Sequence, residues 1–225
     1  MNSYGLTSVQ KYFRFAALAL FWIPVISLSL LLVRNTIPYF SFDLNLPFLA
    51  ERAVLTEKRV WLICFYTHII AGAVCITTAL IQFSSWILRK RKAIHVISGK
   101  LYVIVVLLVG APSGLYMTFF AKGGYAEKGA FLGMAVFWFW TTYKGFVTAA
   151  RDKNFVAHKY WMIRSYAMAL TAVTFRVYHI LFHEFGLDGF TNYSVSLWIS
   201  IIGNGLIAEA VIYFQSKNYF KTLTS

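Results

Sequence analysis

The chain has 225 residues, of which 59% are hydrophobic and only 13% are charged, and its formal net charge at pH 7 is +13. A soluble domain of this length needs a more highly charged surface, so the composition predicts a membrane protein and argues against an ordinary soluble domain. The distribution of the positive charge, described below, also argues against nucleic-acid binding.

Six apolar stretches are each long enough to cross a bilayer, which takes about 20 residues. The first could pass for a signal peptide, but its apolar part has about 20 residues and no small-residue cleavage pattern follows, so it is predicted to be a retained helix. The sequence therefore predicts an all-α fold, a single integral membrane domain over residues 1–225 with six transmembrane helices. Their predicted bounds are 13–33, 60–88, 94–121, 129–149, 156–182 and 194–214.

One predicted connection is long. Residues 34–59 contain Pro38 and Pro47 and alternate aromatic with polar residues. This pattern predicts a loop that lies along the outer membrane interface. Cys64 and Cys75 follow in the second helix, where eleven residues separate them by about 16 Å, too far for a disulfide.

The basic residues predict the orientation of the helices. If the N-terminus is cytoplasmic, thirteen basic residues and one acid lie on the inner side, whereas six basic residues and six acids lie on the outer side. Such an excess in short loops is the positive-inside signal, and it predicts that both termini are cytoplasmic. The inner bases are Lys11, Arg14, Arg89, Lys90, Arg91, Lys92, Lys100, Lys144, Arg151, Lys153, Lys159, Lys217 and Lys221.

The run from Arg89 to Lys92 lies beside a predicted helix end. Clusters of this kind attract the anionic head groups of the cytoplasmic leaflet. Lipid is therefore the partner that the positive charge predicts.

Ionisable residues inside the predicted helices are candidates for function, because charge in hydrocarbon is costly. Arg164 lies eight residues from the inner end of the fifth helix, and Glu209 lies five residues from the inner end of the sixth. Their similar depth in sequential helices predicts a buried ion pair. Arg176, in the outer half of the fifth helix, has no acid at matching depth and is a candidate anchor for an anionic ligand group, either a haem propionate or a lipid phosphate.

The histidines form two candidate pairs. His68 and His179 (or His183) lie towards the outer side, whereas His95 and His158 each open a helix at the inner side. Paired neutral imidazoles from different helices suit haem iron in bis-histidine ligation and also other transition metals. The alternative for each histidine is a solvated or hydrogen-bonded residue without a ligand.

Four segments resemble a family of predicted bacterial membrane proteins that is catalogued only as a domain of unknown function. They are "HIIAGAVCITTALIQF", "HVISGKLYVIVVLLVGAPSGLYM", "GGYAEKGAFLGMAVFWFWTTYKGF" and "HKYWMIRSYAMALTAVTFR", and the most specific element is H-x2-W-M-x-R-S. The resemblance runs from about Val60 to Arg176; it implies a location in a bacterial inner membrane but no activity. In plan it is loosely similar to di-haem transmembrane cytochromes b. The positions that carry the pattern are His68, Gln82, His95, Gly99, Tyr102, Trp161, Met162, Arg164, Ser165 and Arg176.

Spacing within these segments predicts which residues face one another. His95, Gly99 and Tyr102 follow at i, i+4 and i+7 and therefore share a helix face. His158 shares a face with Ser165 in the same way. If both faces point inward, His95 and His158 meet at the inner mouth of the bundle and share a ligand.

Three functions remain open from the sequence. The first is a redox protein that holds haem b or a quinone between helices two, three and five. The second is an accessory or scaffold subunit of a larger membrane complex, without catalytic activity. The third is a small transporter with a gate formed by Arg164 and Glu209. The sequence contains no nucleotide-binding loop, zinc-protease motif or nucleophile signature, so no specific enzyme is predicted.

Overall fold

The computed structural model describes residues 8–223, and in this range its regular structure is entirely helical. The predicted all-α class is therefore confirmed. The side chains of some residues near both ends, including Lys11, Arg14 and Lys221, lie outside the described part. The long helices in this range are α1 (Ser8–Thr36), α2 (Arg59–Gln82), α3 (Lys92–Thr118), α4 (Tyr125–Ala150), α5 (Phe155–Glu184) and α6 (Gly189–Leu223).

Four segments of the described chain are long and apolar enough to cross a membrane. They lie in α1, α2, α3 and α6, over Trp22–Ser41, Arg59–Gln82, Lys92–Thr118 and Gly189–Lys217. Helices α4 and α5 contain 26 and 30 residues, so their length is also sufficient. Neither of these two helices contains a segment of the same apolarity.

The predicted second helix is wrong at its C-terminal end, since α2 ends at Gln82 and not at residue 88. A separate helix, Ser85–Lys90, follows. The backbone N–H of Ile87 donates to Ser84 Oγ at 3.3 Å, so Ser84 caps this new helix. Hydropathy continues across the break, which explains why the apolar pattern alone did not show it.

Helix α3 contains a wide turn in its middle. The α-helical segments Lys92–Val105 and Ala111–Thr118 flank a π-helical turn, Val106–Gly110. Pro112 lies just after this turn and has no N–H to donate to the preceding turn, which favours a local change in the helical pitch. The carbonyl group of Gly110 becomes an acceptor for a side chain of α2, as described below.

Helix α5 lies at the centre of the bundle. It packs most extensively against α4 on one side and α6 on the other, while α2 packs against α3 and α1 packs mainly against α2. The middle of α5 carries the buried residues Ile163, Ser165, Tyr166, Ala167, Met168, Ala169, Thr171 and Val173. This central position explains how the most polar of the predicted membrane helices is accommodated: Ser165 and Thr171 are buried against neighbouring helices, whereas Arg176 remains exposed.

The connections at one end of the bundle, residues 83–91 and 151–154, carry a cluster of basic residues, and we call this end the basic end. At the opposite end, Lys122 Nζ donates to Glu51 at 2.6 Å, so the 119–124 connection contacts the long loop. Glu127, at the start of α4, accepts from Ser194 Oγ of α6 at 2.6 Å and from the Gly124 backbone N–H at 2.8 Å. These bonds, led by the one from Ser194, hold the pKa of the Glu127 carboxyl below its usual value.

The loop predicted to lie along the membrane interface folds back onto α2. It contains a 3₁₀ turn, Ile37–Ser41, and two short helices, Pro47–Ala50 and Ala53–Thr56. Leu49 is fully buried in a cluster with Trp61 and Phe65, whose rings stack with centroids 5.6 Å apart. Apolar burial therefore fixes part of this loop against the bundle.

Candidate functional site

His95 lies at the basic end of α3, where the end of α2 holds the backbone around it. Gln82 Nε2 donates to the His95 carbonyl oxygen at 2.7 Å and contacts Ser98 Oγ at 2.6 Å. A Cβ atom on Gly99 would lie 3.1 Å from Gln82 Oε1, so the glycine leaves room for this amide. Three positions of the family pattern, Gln82, His95 and Gly99, thus form one contact between α2 and α3.

His158 lies at the basic end of α5 and is oriented by α4. Its Nδ1 atom lies 2.7 Å from the Gly145 carbonyl oxygen. A carbonyl oxygen can only accept, so Nδ1 carries the proton and Nε2 of the neutral ring is left with a free lone pair. Metal-ligating histidines commonly have their second nitrogen fixed in this way.

The two imidazoles lie at the same end of the bundle, close enough for a charge on one ring to act on the other. Each belongs to the first turn of its helix, and both rings are partly buried. The Nδ1 atom of His95 is buried, and no hydrogen-bond partner for it is found in the described part of the chain. A buried polar atom without a partner is costly, which makes this atom a candidate for an additional ligand.

His68 lies in α2 against the wide turn of α3. Its Nδ1 atom lies 3.0 Å from the Gly110 carbonyl oxygen and 3.2 Å from Ser113 Oγ. A Cβ atom on Gly114 would lie only 2.8 Å from His68 Cε1, so this position requires glycine for the ring to fit. The π-helical turn and Gly114 together create the space for a buried imidazole.

The predicted outer pair of histidines is not brought together. No contact between His68 and either His179 or His183 is observed within residues 8–223. His179 stacks on Phe175, with ring centroids 5.7 Å apart, and His183 contacts Asp188 at 2.5 Å on the exposed end of α5. Hydrogen bonds of His68 with α3 turn it towards that helix, which the spacing of histidines along the chain could not show.

Arg176 is exposed and has no carboxylate within ion-pair distance in the described part of the chain. Its Nη1 atom donates to the Ala172 carbonyl oxygen at 2.5 Å, one turn back along α5. It also interacts electrostatically with His68 and with Tyr39. Arg176 thus lies near His68, on the side of α5 that faces α2 and the start of the long loop.

Arg164 and Glu209 form an ion pair between α5 and α6. Arg164 Nε donates to Oε1 at 2.5 Å and Nη2 donates to Oε2 at 2.8 Å, a bidentate geometry. The prediction that this pair is buried was wrong, because the side chains are 22% and 53% exposed. Glu209 follows the buried Ala208, and one residue turns an α-helix by about 100°, which carries the carboxylate to the edge of the contact.

Four polar side chains in the centre of the bundle form a hydrogen-bond circuit that links α3, α4 and α5. Thr142 Oγ1 donates to the Trp138 carbonyl oxygen at 2.7 Å and therefore accepts from Ser165 Oγ, also at 2.7 Å. Ser165 then accepts from Tyr102 at 2.8 Å, and the Tyr102 hydroxyl accepts from Trp138 Nε1 at 3.2 Å. Each donor is used once, so the circuit has a single direction.

The sequence patterns singled out Tyr102 and Ser165 but missed Trp138 and Thr142. They also missed the carbonyl groups that contact His68 and His158, which belong to Gly110 and Gly145. A threonine in an apolar helix is a weak signal, because it can bond the carbonyl group one turn back in its own helix. Nothing in the sequence marks the carbonyl groups of Gly110 and Gly145 as acceptors, except that both residues are glycines. Only the packing of neighbouring helices shows which glycine exposes its backbone.

Comparison with known proteins places these positions in a family context. A family model described as a predicted membrane protein (DUF2306) matches residues 65–212, which is more than half of the chain. The match includes all the contacts described above except those made by the long loop, among them the ion pair of Glu51 with Lys122. The match confirms the family resemblance found in the motifs. No curated protein and no solved structure matches the chain.

Proposed function

We propose that this chain, which belongs to the DUF2306 family of predicted membrane proteins, is a membrane redox protein that holds one haem b between His95 and His158. The observation that carries the proposal is the pairing at the basic end. His158 Nδ1 donates to the Gly145 carbonyl oxygen, and the buried Nδ1 of the neighbouring His95 has no hydrogen-bond partner among the residues that the structure describes. The His158 ring is thus oriented with its Nε2 lone pair available as a ligand, and the His95 ring has an Nδ1 atom that is available as well.

The number of protein ligands favours haem over a bare metal ion. Within residues 8–223, no group of three or more histidine, cysteine, aspartate or glutamate side chains is arranged to hold a metal. Structural and catalytic zinc sites need three or four protein ligands. Haem iron needs only two axial ligands, because the porphyrin supplies the other four nitrogens.

The surroundings of the two rings suit such a group. His95 and His158 lie at the end of the bundle where both α3 and α5 begin, and this end is open to the outside. Exposed basic side chains there, among them Arg91, Lys92 and Lys159, offer partners for propionates. When bound, the haem would supply one-electron transfer; His95 and His158 would orient it, and Gly145 would hold the tautomer of His158.

The absorption spectrum of the protein tests the haem proposal. We expect protein purified from haem-replete cells to show a Soret band that is lost in His95→Ala and in His158→Ala, because each variant removes one axial ligand. His183→Ala is the matched control, since His183 is exposed and paired with Asp188, and it should keep the band. A colourless wild-type protein would contradict the proposal and favour the accessory-subunit alternative. A band that both alanine variants retain would also contradict the proposal, because the haem would then be held by other residues.

The proposed orientation has six spanning helices, with α4 and α5 crossing the membrane inside the bundle and both termini in the cytoplasm of a bacterial inner membrane. The support is the thirteen-to-six distribution of basic residues together with helices of sufficient length. The basic end would then face the anionic head groups of the inner leaflet.

Reporter fusions test this orientation. A reporter protein that is active only in the cytoplasm should be active when it is fused after Ser225. A reporter protein that is active only in the periplasm should be active when it is inserted in the 119–124 connection. A C-terminal fusion that reports the periplasm would require an odd number of spans or the opposite orientation.

A further inference from the structure

The ion pair of Arg164 and Glu209 lies in a groove on the surface of the bundle, between α4, α5 and α6. We call it the ion-pair groove. It contains a cavity of about 140 Å³ lined by Phe137, Arg164, Met168, Gly205, Ala208 and Glu209. Glu209 is about half exposed, in a helix whose apolar segment extends to Lys217. With α6 in a membrane, this surface faces hydrocarbon, where a carboxylate without further polar contacts is costly.

The groove offers hydrogen-bond donors and acceptors without net charge. Both Glu209 oxygens accept from Arg164, so the two charges cancel. Arg164 Nη1 makes no hydrogen bond in the described part of the chain, and each carboxylate oxygen keeps a free lone pair. A neutral ligand with polar oxygens would gain bonds here, whereas a charged ligand would lose its solvation and find no net opposite charge.

The remaining lining selects a flat apolar group. Phe137 presents an aromatic ring and Met168 a thioether, both of which pack well on planar rings. The groove volume of about 140 Å³ is close to the roughly 150 Å³ that holds a benzene-sized molecule, so the groove has room for one six-membered ring. The ligand must also enter from the lipid phase, since the groove opens on the outer surface of the bundle.

We infer that the ion-pair groove binds the head group of a quinone-class lipid. A carbonyl oxygen of the ring accepts from Arg164 Nη1, and in the reduced form a hydroxyl group donates to Glu209. The inference concerns binding alone and rests on the proposed embedding of α4, α5 and α6 in the membrane. It goes beyond the haem proposal, which concerns other residues, so either can fail without the other.

Two glycines of α6 provide a matched pair of variants. A Cβ atom at Gly203 or at Gly205 meets no atom within 4 Å, so larger side chains fit at both positions. Only Gly205 lines the cavity. Gly205→Leu therefore fills the groove and leaves the ion pair in place, whereas Gly203→Leu adds the same side chain outside the groove.

Binding is measured in detergent micelles with short-chain ubiquinone and menaquinone analogues, by quenching of tryptophan fluorescence. Trp161 is a suitable reporter, because its ring centroid lies 4.8 Å from the guanidinium carbon of Arg164. We expect saturable quenching by at least one analogue in the wild type and in Gly203→Leu, and a Kd at least about tenfold higher in Gly205→Leu, corresponding to about 1.4 kcal/mol.

The absence of saturable quenching of the wild type by both analogues would overturn the inference, whatever the variants do. Equal Kd values for the wild type and a folded Gly205→Leu would overturn it as well. If Gly205→Leu instead changes the oligomeric mass without changing quinone affinity, the groove is an interface between copies and not a quinone site. The Soret band reports on the haem proposal separately in the same samples.

Discussion

Glu209→Gln is expected to lower the midpoint of thermal unfolding in detergent by about 2–8 °C. The substitution leaves the Arg164 guanidinium without a counter-charge in the ion-pair groove, where it otherwise makes a bidentate contact at 2.5 and 2.8 Å. Removing one partner of a buried pair costs about 3–5 kcal/mol, whereas an exposed pair contributes only about 0.2–1 kcal/mol, so about 1–2 kcal/mol is expected for this half-exposed carboxylate. For a chain of this length, 1 kcal/mol corresponds to about 2–4 °C.

A variant in which both partners are replaced shows whether the loss of stability in Glu209→Gln comes from the unpaired charge of Arg164. A double variant, Arg164→Leu with Glu209→Leu, leaves no uncompensated charge and should unfold close to the wild-type temperature. The matched control is Lys122→Gln, which removes one partner of a solvent-exposed ion pair at the opposite end, leaves Glu51 in contact with Arg52, and should change little. A Glu209→Gln protein as stable as the wild type would show that the two groups do not pair in the membrane protein.

The second large effect is expected from the hydrogen-bond circuit of Tyr102, Trp138, Thr142 and Ser165. Tyr102→Phe leaves the buried Trp138 Nε1–H without an acceptor, and Ser165→Ala leaves the Tyr102 hydroxyl without one. Tyr102 and Ser165 are 1% and 0% exposed, so water cannot replace the lost partner. Each variant should lose about 1–3 kcal/mol of unfolding free energy.

A double-mutant cycle tests whether the four groups act together. Since both substitutions break the same circuit, Tyr102→Phe combined with Ser165→Ala should cost less than the sum of the single variants, with a coupling of about 1 kcal/mol. Tyr143→Phe is the control, because Tyr143 is exposed on α4, the helix that also carries Trp138. Additive losses would mean that the circuit does not form a connected unit.

Several features could be predicted from the sequence because they depend on local pattern. Apolar stretches of sufficient length predict helices, and their positions agree with α1 to α6 except at the ends. The common depth of Arg164 and Glu209 in sequential helices predicted their contact, since depth follows directly from counting residues at 1.5 Å each. The spacing of His95, Gly99 and Tyr102 placed them on one face, and motif spacing identified the family.

The tertiary structure decided the features that depend on rotation and on the backbone of a neighbouring helix. Glu209 lies at the edge of the contact because it is rotated by about 100° about the axis of α6 from the buried Ala208. The depth of a residue along the helix does not give this rotation. Hydrogen bonds to the carbonyl groups of Gly110 and Gly145 chose which ring nitrogen of His68 and His158 stays free. The sequence by itself determined that this is a helical membrane protein with polar groups on α5. Packing decided which of those groups meet. A hydrogen bond depends on differences of a few tenths of an ångström between elements far apart in the chain, and the sequence does not give such distances.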